Sequence, residues 1–147
     1  MYKRILVAVD GSPHADVALR HAVELARDCQ AELTVLHVQD TTWMLAGSEF
    51  ALDTTQINEA RRQVGEGILD RARQLAQTAG VQARLQLVQT DTPARSVADV
   101  IAGEAAAWPA DLVVVGTHGH RGLRHLLLGS VAEGVARISA MPVLFVR

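Results

Sequence analysis

Lysine is almost missing from this chain: Lys3 stands alone among 14 basic residues, the rest being arginines. Any mechanism that grips phosphate with a lysine, as a P-loop does, must use Lys3 or do without. Cysteine occurs once, at Cys29, which excludes an intrachain disulfide. Its place in an apolar helical pattern reads as a small buried hydrophobe, not a redox group. Aromatic residues make up only 3% of the chain. The core must therefore come from Ala, Val and Leu, which suits helices stacked on a sheet of β-branched strands. Neither sign of charge dominates: 14 basic residues against 16 acidic ones leave a net charge of −2. No bulk field then favours nucleic acid or a membrane surface. Long apolar runs are absent too, and the opening Ile5-Leu6-Val7-Ala8-Val9 is too short for a signal-peptide core or a membrane span. A soluble, cytoplasmic protein with no nucleic-acid or membrane partner is expected. No Pro- or Ser-rich linker and no repeat divides the 147 residues, so a single domain over 1–147 is expected.

What is present is a regular alternation of strand and helix patterns. Residues 4–9 form a continuous apolar run, the mark of a strand buried on both faces. Asp10-Gly11-Ser12-Pro13 follows as a sharp turn, with Ser12 suited to cap a helix and Pro13 to begin it. Ala15, Ala18, Leu19, Ala22, Val23, Ala26 and Cys29 mark one face of that helix. A second strand is predicted over 33–38. After an irregular stretch with Trp43, Met44, Leu45 and Phe50, a helix is predicted with Ile57, Ala60, Val64, Ile68, Ala72, Leu75 and Ala79 inward and Gly80 as its stop. Gly65 and Gly67 lie inside it, each costing about 1 kcal/mol relative to Ala, with no reason visible in the sequence. A strand over 83–88, a helix over 93–107, a strand over 112–116, a helix from Ser130 to about Ser139 and a strand over 143–146 complete the series. Alternation of this kind implies an α/β fold: an open parallel sheet with right-handed crossovers.

Open α/β sheets bind ligands outside the carboxyl ends of their strands, where the strand order reverses. Two such ends stand out, Val9-Asp10-Gly11-Ser12 and Val115-Gly116-Thr117-His118-Gly119. Glycines at 116, 119 and 129 suggest close backbone approach to a ligand or positive φ. Gly129-Ser130 opens a helix whose amides at Ser130, Val131 and Ala132 would offer an anion site at its positive end. The ligand-free alternative is a capping box between Ser130 and Glu133, which would occupy that end.

The pattern Gly116-x-x-Gly119, nine residues, then Gly129-Ser130 resembles the ATP-binding signature of the universal stress protein family. The likeness extends to Leu126-Leu127-Leu128 before Gly129, to the opening strand with Asp10-Gly11-Ser12, and to the closing Met141-Pro142-Val143-Leu144-Phe145-Val146. It covers essentially the whole chain. The resemblance implies a Rossmann-like, five-stranded parallel sheet in order 3-2-1-4-5 with helices on both faces. It also implies ATP as ligand, with Mg²⁺, and a homodimer through the last strand. Carried over by position, Gly116 with Thr117 and His118 would hold the ribose side. Gly119, Gly129, Ser130, Val131 and Ala132 would hold the phosphates. Ala8, Val9, Asp10 and Val38 would border adenine and ribose, and Asp10 would help hold Mg²⁺ through water.

Other chemistries find little support. His118, His120 and His125 match no structural zinc spacing. Arg121 and Arg124 read as loop charges beside a possible anion site, and His37 as a packed core histidine. No P-loop and no set of acid, base and nucleophile assembles in the sequence, so ATP hydrolysis is expected to be slow at most. A dinucleotide dehydrogenase would need Gly-x-Gly-x-x-Gly. An ATP pyrophosphatase would need a Ser-Gly-Gly-rich loop after the first strand. A receiver domain would need an acidic pair there and a late lysine. The expected function is an ATP-binding stress or signalling module. The alternative is a dimeric interaction protein of the same fold that keeps no nucleotide.

Overall fold

The computed structural model describes residues 1–41, 54–90, 92–118 and 128–147. Among these, strands and helices alternate as β1 (Arg4–Ala8), α1 (Pro13–Cys29), β2 (Glu32–Gln39), α2 (Thr54–Thr78), β3 (Ala83–Gln89), α3 (Val97–Ala107), β4 (Leu112–Gly116), α4 (Ser130–Ile138) and β5 (Val143–Val146). All the strands pair in parallel, in the order β3-β2-β1-β4-β5. The fold is therefore the implied five-stranded Rossmann-like sheet. The central strand β1 carries its Ile5, Leu6 and Val7 with no exposure at all. Burying one such branched side chain is worth about 2 kcal/mol. Alternation along the strands splits the core in two. Ile5, Val7, Leu33 and Val35 face α1 and α2, while Leu6, Leu36, Val113 and Val115 face α3 and α4.

Local chemistry sets the helix boundaries. Asp10 Oδ1 accepts from the Ser12 N–H at 2.9 Å, and Ser12 Oγ accepts from the Ala15 N–H at 3.2 Å. With Pro13 at the first helical position, α1 begins where the sequence predicts. Gly11 supplies the positive φ of +80° that this turn requires. At the far end of α1, Gln30 takes the left-handed conformation. Cys29 closes the helix half-exposed rather than buried in the core. The next helix also stops as predicted, at Gly80 with φ +77°.

Two predicted helices differ from those observed. α2 turns Gly65, Ile68, Leu69, Ala72 and Ala76 inward, leaving Val64 65% exposed and Ala60 on the surface. The helix has rolled toward its glycine. A Cβ at Gly65 would lie 2.8 Å from His37 Cδ2 and 3.0 Å from Leu87 Cδ1, so glycine lets α2 sit down on β2 and β3. Gly67 has nothing within 4 Å and the structure gives no reason for it. α3 starts at Val97 rather than Pro93, because Ser96 and Asp99 form a reciprocal capping box that fixes the helix start there. Residues 93–95 therefore belong to the β3–α3 turn. α3 and α4 approach closely, since a Cβ at Gly134 would lie 2.6 Å from Ala98 Cβ.

Candidate functional site

Because β1 lies between β2 and β4, the chain leaves the sheet in opposite directions at the carboxyl ends of β1 and β4, and a crevice of about 800 Å³ opens there. Ala8, Val9 and Asp10 border it from β1, and Val38 and Asp40 from β2. Gly116, Thr117 and His118 border it from β4, and Gly129, Ser130, Val131 and Ala132 from the start of α4. The residues singled out in the sequence thus meet in one place, except Gly119, which lies outside the described residues with His120, Arg121, Arg124, His125 and the Trp43–Phe50 stretch. The crevice also takes in Pro93, Arg95 and Ser96 of the β3–α3 turn and Val97, the first residue of α3. Sequence reasoning missed these by counting 93–96 as helix. The available signal was the strand–helix alternation itself, which puts every such turn at this end.

Three helices present their first turns to the crevice, and they differ in how those turns are closed. In α1 the Ser12 side chain occupies the end. In α3 the Ser96–Asp99 box does so. In α4 the N-cap is Gly129, which has no side chain to offer, and Ser130 is the first helical residue. The first bond inside the helix runs from the Glu133 N–H to the Gly129 carbonyl at 2.9 Å. The amides of Ser130, Val131 and Ala132 precede it with no side-chain cap. The capping box that Ser130 and Glu133 could have formed is not made. Glu133 Oε1 instead accepts from Arg137 Nη2 at 3.0 Å. An uncapped first turn carries partial positive charge and unsatisfied donors, which is a binding end for an anion.

Backbone bonds hold this turn against the sheet. The Thr117 N–H donates to the Val146 carbonyl at 2.9 Å, and the Gly129 N–H donates to the Thr117 carbonyl at 2.7 Å. Thr117 Oγ1 lies 2.9 Å from His118 Nδ1. Among the described residues His118 Nε2 is buried without a hydrogen-bond partner, and the ring sits 5.2 Å from that of His14 at the start of α1. A buried imidazole nitrogen on the wall of a crevice is a polar group able to hydrogen-bond a ligand.

Of the two roles expected for the glycines, close approach and positive φ, the second is not found at the described positions. Neither Gly116 nor Gly129 has positive φ; Gly129 sits at −59°. A Cβ at Gly116 would lie 3.0 Å from the His14 carbonyl oxygen and 3.3 Å from the Ala15 nitrogen. Gly116 therefore lets the end of β4 meet the α1 backbone, a role inside the fold.

Comparison with known proteins then bears on what the crevice is for. The sequence model of the Universal stress protein family matches residues 1–147. The universal stress protein YxiE of Bacillus subtilis is 38% identical over 154 aligned positions, covering 100% of both chains. A solved structure from Burkholderia pseudomallei, of a protein from the same family, superposes with a TM-score of 0.78 at 33% identity, covering 98% of this chain and 95% of that one. Two similar structures hold nucleotides. One is a universal stress protein in complex with cAMP, with TM-score 0.70, 26% identity and coverage of 99% and 97%. The other is the Archaeoglobus fulgidus universal stress protein in complex with dAMP, with TM-score 0.69, 25% identity and coverage of 99% and 98%.

Proposed function

The chain belongs to the universal stress protein family, and from that premise we propose that it binds ATP with Mg²⁺ in the crevice, as a nucleotide-responsive stress or signalling module with at most slow hydrolysis. The observation that carries the reading is the uncapped first turn of α4. Its Ser130, Val131 and Ala132 amides offer donors and positive potential to phosphate in a crevice of about 800 Å³. Relatives of the same fold holding cAMP and dAMP support an adenine nucleotide.

The donor set fits such a ligand. Phosphates would lie at Gly129–Ala132, with the unpartnered His118 Nε2 nearby as a further polar contact. Ribose would lie by Gly116 and Thr117, and adenine by Ala8, Val9 and the Val38 backbone. Among the described residues no three His, Cys, Asp or Glu side chains gather into a metal site. Mg²⁺ would therefore need phosphate oxygens to complete its shell, with Asp10 reaching it through water. Equilibrium binding of ATP, ADP and GTP in Mg²⁺ tests the reading: ATP is expected to bind more tightly than GTP. Undetectable ATP binding at millimolar concentration would reject it in favour of an interaction protein that keeps no nucleotide.

The same reading includes a homodimer through β5. Among the described residues that strand pairs only with β4, and Leu144 is 38% exposed at its edge. An unprotected apolar edge is a pairing template, and a two-fold axis through it closes the assembly. Sedimentation should find a dimeric wild type and a Leu144→Pro variant shifted toward monomer; a monomeric wild type removes the dimer.

A further inference from the structure

His37 has no role in the nucleotide reading, and Gly65 had no rationale in the sequence, yet they touch each other beneath the crevice wall. β1 and β2 pair in register only as far as Ala8 and Leu36. The last bond between them runs from the Val9 N–H to the Leu36 carbonyl, at 2.9 Å. On β2 the main-chain groups point alternately to the two neighbouring strands. The Leu36 carbonyl points to β1, whereas the Gln39 carbonyl points to β3, where it accepts from the Thr90 N–H at 3.0 Å. Val38, two residues after Leu36, therefore turns its N–H and its carbonyl toward β1. There β1 has ended, and among the described residues no ladder bond joins Val38 to it.

The acceptor that would have continued the ladder is the Val9 carbonyl. It is bound by a side chain instead, with His37 Nδ1 at 2.8 Å. A carbonyl only accepts, so Nδ1 must carry the proton. The opposite edge of the ring needs room between β2 and α2. Gly65 supplies it, since a Cβ there would lie 2.8 Å from Cδ2 and 3.2 Å from Nε2. An alanine would push the ring off the Val9 carbonyl or lift the helix.

We propose that His37 is a positioning residue for the nucleotide base, with Gly65 as its socket. The imidazole takes the Val9 carbonyl and ends the β1–β2 ladder. The Val38 donor–acceptor pair then stays turned to the crevice, where a base edge can use it. This inference rests on the nucleotide reading, and it assigns base recognition to an interaction on the far face of the sheet from α3 and α4.

Two measurements test it. The first is the ¹⁵N NMR signature of His37 in the ligand-free wild type, where a protonated Nδ1 is expected; an unprotonated Nδ1 overturns the proposal whatever the protein binds. The second is calorimetry with ATP and with inorganic tripolyphosphate, both in Mg²⁺. His37→Leu should weaken ATP about tenfold, the scale of one misplaced hydrogen-bonding pair, and leave tripolyphosphate within about twofold. His37→Asn, whose amide N–H can replace Nδ1–H, should stay within about threefold of wild type for ATP. Gly65→Ala should behave as His37→Leu where it folds, and the His37 pair carries the test where it does not. Unchanged ATP affinity in His37→Leu, equal loss for both ligands, or an Asn variant as weak as Leu each overturns the proposal while the nucleotide reading stands. A wild type that binds neither ligand removes both.

Discussion

At the carboxyl ends of the strands α1, α3 and α4 begin; at the amino ends α1 and α2 finish. Both ends have hollows of comparable size, about 800 Å³ and about 670 Å³. The amino-end hollow is lined by Arg27, Gln30, Glu32, Gly80, Arg84 and Trp108 among others. It has an aromatic wall and two arginines, so by side-chain inventory it looks as ready for an anion as the crevice. Backbone polarity separates them. Helix amino ends bring N–H donors and positive potential to the crevice, while helix carboxyl ends bring carbonyls and negative potential to the hollow. The closures also differ. At the amino end Gln30 and Gly80 turn left-handed, and their N–H groups donate back to carbonyls of α1 and α2. At the carboxyl end α4 has no side-chain closure. On the proposed reading, which backbone ends point into a hollow weighs more than its volume or its arginines.

The largest effect should come from spoiling the open helix end without harming the helix. Ser130 is the first residue of α4, at the border of the crevice. Glutamate there suits the helix dipole and adds about 0.3–1 kcal/mol to the fold. It also sets a carboxylate among the proposed phosphate donors. Two like charges about 4 Å apart repel by up to about 4 kcal/mol near a protein surface, so ATP should weaken at least tenfold. Titration calorimetry and thermal melts on Ser130→Glu would separate the two consequences. Full ATP affinity in a variant whose midpoint is unchanged or raised would take the phosphates away from α4.

At the amino end the counterpart is Gly80→Ala. Gly80 has φ +77° and a Cβ added there would meet nothing within 4 Å, so the cost of alanine is conformational only, about 1–2 kcal/mol. Chemical denaturation should record that loss while ATP affinity stays within about twofold. A larger loss of affinity would mean that the two ends are coupled through the sheet.

How much of this contrast was legible in the sequence depends on the range of the interaction. The strand order followed from resemblance. The starts of α1 and α4 followed from Ser12-Pro13 and Gly129-Ser130, where one or two residues decide the outcome locally. The start of α3 was misplaced because Pro93 is as good a helix opener as Ser96, and only the Asp99 reply to Ser96 decides between them. The packing role of Gly116 was not legible because its neighbour, the α1 backbone at His14, is about a hundred residues away in sequence. The inward face of α2 was misjudged for the same reason: hydrophobic spacing favoured Val64, and the His37 ring that selects Gly65 sits on another element.

The smallest effect, and the one that tests the difference between the α3 and α4 starts, is expected from Ser96→Ala. Ser96 borders the crevice, but its hydroxyl is committed. Ser96 Oγ accepts from the Asp99 N–H at 3.2 Å and donates to Asp99 Oδ2 at 2.7 Å, while the Ser96 N–H donates to the same carboxylate at 2.8 Å. These bonds, the hydroxyl first and the amide second, hold the Asp99 carboxyl below its ordinary value of 3.8, with a smaller contribution from Arg95. A carboxyl depressed in the folded state favours folding above its unfolded pKa. That contribution disappears as pH falls through the folded value. Removing the hydroxyl should raise the Asp99 pKa toward 3.8 and lower the midpoint at neutral pH by roughly 2–5 °C. The gap to wild type should narrow as pH falls through the folded value of Asp99, where the carboxylate that the hydroxyl stabilises is lost. ATP affinity should move by no more than about threefold, since this helix end is satisfied by its own chain. A loss of ATP affinity beyond tenfold would place phosphate on α3 as well, and the distinction between capped and uncapped helix starts would no longer account for where the nucleotide binds.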